Sequence, residues 1–339
     1  MVRFRLLALL ATAWGFTCIL IAPAAAQQCA RMAAVDYARH DGTVQHLRQL
    51  YRAGNFSQLD ETLSCLTRSP ERFQSGKSGA SAVYWLFRRE MPAPGVNPSV
   101  SSHLLKWKQE RPQSVFVHFA ELRLRYAMAW NSRGSDFARK VPAEGWRLFN
   151  EGLAETERAV LAAPAELRDT PILQNLLLAI VQDMSESKTS PRAVFEEGVQ
   201  RWPEYYDFYE VALTRLVPKW GGSWDAVDAF IVHWSKRLAM TEGDSMYARL
   251  YMSVISAGAN PSETRISWPR MKSSLEELVG RYPDTAYKNL AASYACRYRD
   301  VTYLKTALQR IRAEQLDPSA WLQGTDPETC LRMAGSGGP

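Results

Sequence analysis

The sequence predicts an all-α protein, a solenoid of helical hairpins whose repeats have degenerated. Three observations predict it. Apolar residues recur at three- and four-residue spacing from Val44 to Ile311. Proline, glycine and serine clusters break that pattern at short intervals. Strand signals are nearly missing. The best one, Ser114 to Phe119, follows Pro112 and runs unbroken into Leu122, Leu124 and Tyr126, so helix is expected there too.

The first element is an export signal. Arg3 and Arg5 precede an apolar run from Leu6 to Ile21, Pro23 breaks it, and Ala24, Ala25 and Ala26 supply small residues before Gln27. The run is interrupted by Thr12, Gly15 and Thr17 and is shorter than the ~20 residues a membrane-spanning helix needs. Neither Cys18 nor Cys29 has a lipid-anchor context. Residues 1–26 are therefore expected to be a cleaved signal peptide, leaving a periplasmic or secreted chain with no transmembrane anchor.

Residues 27–100 are expected to hold an N-terminal helical hairpin and loops. Val44, Leu47, Leu50 and Tyr51 form one stripe, Gly54-Asn55 a turn, and Phe56, Leu59, Leu63 and Leu66 the next stripe. Loops are expected at 69–81 and 92–102. Residues 101–315 form the helical-repeat domain. Its stripes include Trp146, Phe149, Leu153 and Val160; Leu173, Leu176, Leu177 and Ile180; and Trp224, Val227, Ile231, Trp234 and Leu238. Ser190-Pro191 reads as an N-cap with proline in the first turn. Gly221-Gly222-Ser223 opens the Trp224 helix, as a plain N-cap rather than a phosphate loop, because no Gly-Lys-Thr follows. Tyr287, Leu290, Ala291 and Tyr294, then Leu304, Leu308 and Ile311, make the last pair. Residues 316–339 are a C-terminal segment whose tail, from Gly335, is too small and flexible to pack.

A weak repeat runs through this array. Arg111-Pro112, Arg201-Trp202-Pro203 and Arg281-Tyr282-Pro283 each close one helix and open another, and Ala120, Ala212 and Ala291 follow at eight or nine residues. The junctions resemble those between tetratricopeptide repeats, although their spacing of 91 and then 80 residues is not a multiple of the usual period. Stacked pairs would bury a continuous core along an elongated body and expose a concave face.

Several segments together resemble the uncharacterised bacterial family called domain of unknown function 4034. They are Tyr126 to Trp130 with Arg133-Gly134, Val141-Pro142 leading to Gly145-Trp146, Val217 to Gly221, Gly243-Asp244 with Tyr247 to Arg249, Trp268-Pro269 with Met271-Lys272, and Ala295-Cys296. They span roughly residues 100–300. The resemblance implies a helical, tetratricopeptide-like fold and brings no activity, substrate or catalytic residue.

Cysteine usage fits export. Of five cysteines, Cys18 leaves with the signal peptide, and Cys29, Cys65, Cys296 and Cys330 remain, an even set in a disulfide-permissive compartment. Chain order favours Cys29 with Cys65 and Cys296 with Cys330, although three pairings are possible. Removing Arg3 and Arg5 takes the formal charge from +6 to +4, spread without a basic block, which argues against nucleic acid.

Catalytic chemistry has thin support. His118 and Glu121 share a helical face but lack a zinc protease's second histidine, and His40-Asp41 with His46 is equally slight. No nucleophile elbow occurs, and neither metal nor cofactor is expected. The richer signal is aromatic and cationic: Trp130, Arg133, Trp146, Trp220, Tyr247 and Arg249, with Trp224 nearby, lie beside glycines or prolines at helix ends. Arginine against aromatic faces can hold a carboxylate or a sugar. The bland alternative has the rings wedging helices apart while Arg133 and Arg249 cap carbonyls or pair with Glu144 and Asp244. Two functions follow. One is a non-enzymatic envelope scaffold holding a protein or peptide on its concave face, and the other is a hydrolase or glycan-binding protein using the aromatic-arginine cluster. A purely structural envelope role is a third. Convergence of Arg133, Trp146, Trp220 and Arg249 on a cleft would favour the ligand site over the scaffold.

Overall fold

A computed structural model describes residues 39–97 and 99–336, so the expected signal peptide, residues 1–26, and Cys29 lie outside the described residues. Within them the chain folds into seventeen α-helices and no β-strand. A single isolated bridge joins Arg72 to Ser78. No helix among the described residues is long and apolar enough to cross a membrane.

The first hairpin is α1 (His40–Ala53) and α2 (Phe56–Arg68), closed by Gly54 in the left-handed region with its N–H returned to the last turn of α1. Both helices pack on α3 (Gly79–Glu90). Trp107 of α4 (Val100–Glu110) is fully buried and stacks between Phe56 and Phe87 at interplanar angles of 11° and 8°. The middle of the chain forms α5 (Val115–Arg133), α6 (Ala143–Leu161), the single turn α7 (Ala165–Arg168), α8 (Pro171–Asp183), α9 (Pro191–Arg201) and α10 (Asp207–Thr214). Helices α5 and α6 lie close together, Ala129 facing Gly152. The remainder is α11 (Trp224–Arg237), the turn α12 (Ala239–Glu242), α13 (Ser245–Ser256), α14 (Trp268–Arg281), α15 (Thr285–Arg297), α16 (Val301–Gln309) and α17 (Pro327–Ser336). Ser190 and Ser223 cap α9 and α11 as expected, accepting from the N–H groups of Ala193 and Ala226.

The three proline junctions share one geometry. Arg111 (φ −134°, ψ 62°), Trp202 (φ −135°, ψ 66°) and Tyr282 (φ −127°, ψ 90°) each leave the helical region while still donating to the carbonyl four residues back. The proline that follows each of them disfavours helical ψ at the residue before it, and its missing N–H ends the ladder. Met91 before Pro92 adopts the same conformation (φ −128°, ψ 66°), a fourth junction that the repeat reading missed. Ala120, Ala212 and Ala291 are all buried where neighbouring helices meet.

Cys296 and Cys330 form a disulfide, Cα atoms 5.6 Å apart, that fastens α17 to α15. The chain-entropy model assigns a loop of this size about 3 to 4 kcal/mol. Replacing both cysteines with serine should lower the unfolding free energy by about 2 to 4 kcal/mol in denaturant titration, with no change under reducing conditions. Helix α17 continues through Gly335, which is exposed with nothing near its β-carbon position, and residues 337–339 lie outside the described residues.

The segment between α2 and α3 is a loop, as the sequence suggested, but it is not peripheral. Arg72 reaches Tyr206 and Glu242, and the Ser75 carbonyl accepts from Arg249 and from Tyr287, residues 174 and 212 positions further on. This contact draws the first quarter of the chain onto its last. An open row of hairpins touching only nearest neighbours would not do so.

Candidate functional site

Curling the chain in this way encloses a cleft of about 1020 Å³ walled by α3, α5, α6, α8, α10, α13 and α15. Its floor is α5. Arg123, Tyr126, Trp130 and Arg133 follow one another at spacings of three, four and three, which puts them within about 80° on one face and spreads them over roughly 15 Å of helix. All four line the cleft.

Asp183, the last residue of α8, fixes the middle of that floor. One carboxylate oxygen accepts from Tyr126 Oη at 2.7 Å and from Trp130 Nε1 at 2.8 Å, and the other pairs with Arg215. Two ring positions and one guanidinium thus depend on a single buried carboxylate.

The arginines are satisfied very differently. Arg133 lies among Trp130, Trp146 and Trp220, its guanidinium carbon 5.1, 4.8 and 6.0 Å from the ring centres. Its Nη1 donates to the carbonyls of Gly134 and Asp136. Arg249 lies 4.0 Å from the centre of the Tyr206 ring and donates to Tyr287 Oη at 2.7 Å and to Ser75 O at 2.9 Å. Burial opposes its charge, but Tyr287, Tyr206 and Glu242 outweigh burial and hold its pKa above the ordinary value. Arg123 has no such support. It is 4 % exposed, its Nε has no hydrogen-bond partner, and among the described residues no carboxylate pairs with it. Its company is the Tyr126 ring at 5.0 Å, and burial pushes its pKa down.

The lining as a whole is cationic. Seven lysines and arginines face three carboxylates, and two of those three are engaged, Asp183 by Arg215 and Glu210 by Lys77 at 3.5 Å.

Of the six residues singled out in the sequence, Trp130, Arg133, Trp146, Trp220 and Arg249 converge here. Tyr247 does not, and neither does Trp224. Tyr247 is two residues from Arg249 on α13, about 200° around the helix, so the two cannot face one cleft. Its hydroxyl instead accepts from the Ser267 N–H, and Arg270 covers its ring at 4.3 Å. Of the two roles expected for these arginines as packing residues, carbonyl contact is met and ion pairing is not: Arg133 and Arg249 bind carbonyls and a hydroxyl, while Glu144 pairs with Arg147 and Asp244 with Arg270. Sequence reading missed Arg123 and Asp183. The signal for Arg123 was its position three residues before Tyr126, one turn up the face that carries Trp130 and Arg133.

The weaker candidates fall away on exposure. His118 and Glu121 are 3.8 Å apart on the outside of α5, where Lys108 also holds Glu121. His40 stands between Asp41 (3.3 Å) and Ser81 (3.2 Å) in nucleophile-base-acid order. Ser81 is only 1 % exposed in the first turn of α3, so no substrate carbonyl reaches its hydroxyl, and the pair ties α1 to α3. His46 is exposed. A smaller hollow of about 560 Å³ surrounds Asp60, whose carboxylate is already taken by Arg111 and Ser114. Among the described residues no cluster of three or more histidine, cysteine or acidic side chains is placed to hold a metal.

Compared with known proteins, the chain matches no family model, no curated protein and no solved structure.

Proposed function

We propose that the protein binds an acidic, ring-bearing ligand, an acidic glycan, in this cleft. Arg123 carries the reading. A guanidinium stays charged at any physiological pH, and burying it without a counter-charge costs several kcal/mol. A ligand carboxylate meeting Arg123 supplies that counter-charge, while half-buried Trp146 and Trp220 offer faces for a ring.

A glycan suits the cleft better than a peptide. Helices satisfy their own backbone groups, so the walls offer no free strand edge for main-chain pairing, and a helical peptide would want an apolar groove rather than a cationic one. Binding suits it better than hydrolysis. The lining contains no histidine or cysteine, and of its three carboxylates Asp183 is paired with Arg215 and Glu210 with Lys77, leaving Asp136 where glycoside hydrolysis uses two.

The framework around the cleft is read as a degenerate tetratricopeptide-like solenoid, in keeping with the resemblance to domain of unknown function 4034. The shared proline junctions support that reading, and the disulfide suits a periplasmic or secreted protein. The peptide-scaffold alternative loses ground because the loop carrying Ser75 occupies the inner side of the array.

Calorimetric titration of the mature protein should show binding of oligouronates and none of the matching neutral oligosaccharides. Arg123→Met should weaken that binding by about 10- to 100-fold, the worth of a charged hydrogen-bonded pair. The same substitution should leave stability unchanged or raise it by about 1 to 2 kcal/mol, since it removes an unpaired buried charge. Destabilisation by Arg123→Met together with unchanged binding would make Arg123 a structural residue and sink the reading.

A further inference from the structure

We infer that the ligand is acidic at both ends, a chain of rings roughly 15 Å long whose terminal carboxylates meet two separate cationic poles. The inference rests on the acidic-ligand reading and specifies it.

Each pole is built around a tryptophan. At the Arg133 end, the Trp220 ring has three cations around it: Arg215 at 5.2 Å, Lys219 at 5.6 Å and Arg133 at 6.0 Å. Of these only Arg215 has a carboxylate partner, because Arg133 spends Nη1 on loop carbonyls and its Nε and Nη2 make no hydrogen bond. At the Arg123 end, the Trp85 ring has Arg88 at 4.4 Å and Lys77 at 5.4 Å. Arg88 and Arg123 both line the cleft, and the positive charge of Arg88 works with burial to hold the Arg123 pKa down. Lys77 is paired with Glu210, and the Trp85 indole N–H donates to the Asp207 carboxylate at 2.8 Å, so the cations without a carboxylate partner at this pole are Arg88 and Arg123.

Between the poles lie Tyr126 and Trp130, whose polar atoms are both turned onto Asp183. The ring carbons of that stretch therefore face the ligand without a free donor or acceptor, and the only carboxylate there is neutralised by Arg215. A compact monoanion would satisfy one pole and leave the other with uncompensated positive charge. An elongated dianion or oligo-anion satisfies both, and the apolar faces of its middle rings meet the aromatic stretch.

A length series of oligouronates, from the single ring upward, tests this by calorimetry on the mature protein. Affinity should rise by at least tenfold once the chain spans both poles and then level off. Arg88→Gln, at the Arg123 pole, should weaken every member of the series. Lys219→Gln, an exposed change that does not disturb packing, should weaken only the long members, by about three- to tenfold. Arg133→Lys, which keeps the charge but loses the planar fork, should follow Lys219→Gln. Equal affinity for one ring and for long chains, or Lys219→Gln acting equally on all lengths, overturns the two-pole inference while leaving the acidic-ligand reading intact. Failure of every uronate to bind overturns both.

Discussion

Asp183→Ala should lower the free energy of unfolding by about 3 to 5 kcal/mol, the usual cost of stranding one partner of a buried ion pair. Three groups lose their acceptor together: the Tyr126 hydroxyl, the Trp130 indole N–H and the Arg215 guanidinium. The Asp183 side chain is only 8 % exposed, so water cannot simply take its place. Asp183→Asn separates charge from shape. It keeps the oxygen shared by Tyr126 and Trp130 but turns an amide NH2 toward Arg215, leaving that guanidinium unpaired, and it should cost about 1.5 to 3 kcal/mol. Denaturant titration with an unchanged m-value measures both. The tryptophan emission of the folded state should shift as well, because Trp130 packs edge-on against Trp220 at 6.0 Å and against Phe149 at 5.0 Å. Ligand affinity should fall with stability, since the floor of the cleft is the element released. A loss under about 1 kcal/mol for Asp183→Ala would mean that the carboxylate is hydrated in the folded protein and does not organise α5 and α8.

The helical framework was readable because it rests on local rules. Stripes such as Val44, Leu47, Leu50 and Tyr51 must bury one face whatever lies opposite, and Pro112, Pro203 and Pro283 end helices through their own rings. Met91-Pro92 obeys the same rule and was missed because neither of the two residues before Pro92 is the arginine that marks the other three. The Cys296–Cys330 pairing followed from chain order alone. The site was half readable. Trp130 and Arg133 share a helix face by spacing, so their meeting is a local fact. Trp146, Trp220 and Arg249 reach them only through the curl of the whole array, which no spacing encodes. Tyr247 was grouped with Arg249 by proximity in sequence, and helix geometry sends the two apart. Arg123 escaped notice because an arginine among apolar residues reads as a surface position. Only the fold shows that it is buried and lacks an anion. Asp183 escaped for the same reason: its three partners come from two other segments of the chain.

The loop that closes the array yields the second large effect. Gly76 sits at φ +78° in a tight turn, its N–H donating to Phe73 O at 2.8 Å. A β-carbon there would lie 2.5 to 2.8 Å from three atoms of the Tyr282 ring. That ring cannot swing aside freely, because Tyr282 Oη donates to Glu242 at 2.7 Å and lies 3.2 Å from Tyr206 Oη. Gly76→Ala should therefore cost about 2 to 5 kcal/mol, combining roughly 1 to 2 for the left-handed backbone with roughly 1 to 3 for the overpacking. Gly221→Ala is the matched control. Gly221 has φ +89° with nothing near the position of its β-carbon, so only the backbone cost of about 1 to 2 kcal/mol should appear. The excess at Gly76 measures how firmly the loop is wedged between α3 and the last helices. Because Ser75 O holds both Arg249 and Tyr287, the same variant should loosen the cleft wall and weaken oligouronate binding. If the two alanine variants lose equal stability, the loop is not packed against Tyr282, and the contact that turns a row of hairpins into a cleft is not what holds Arg249 in place.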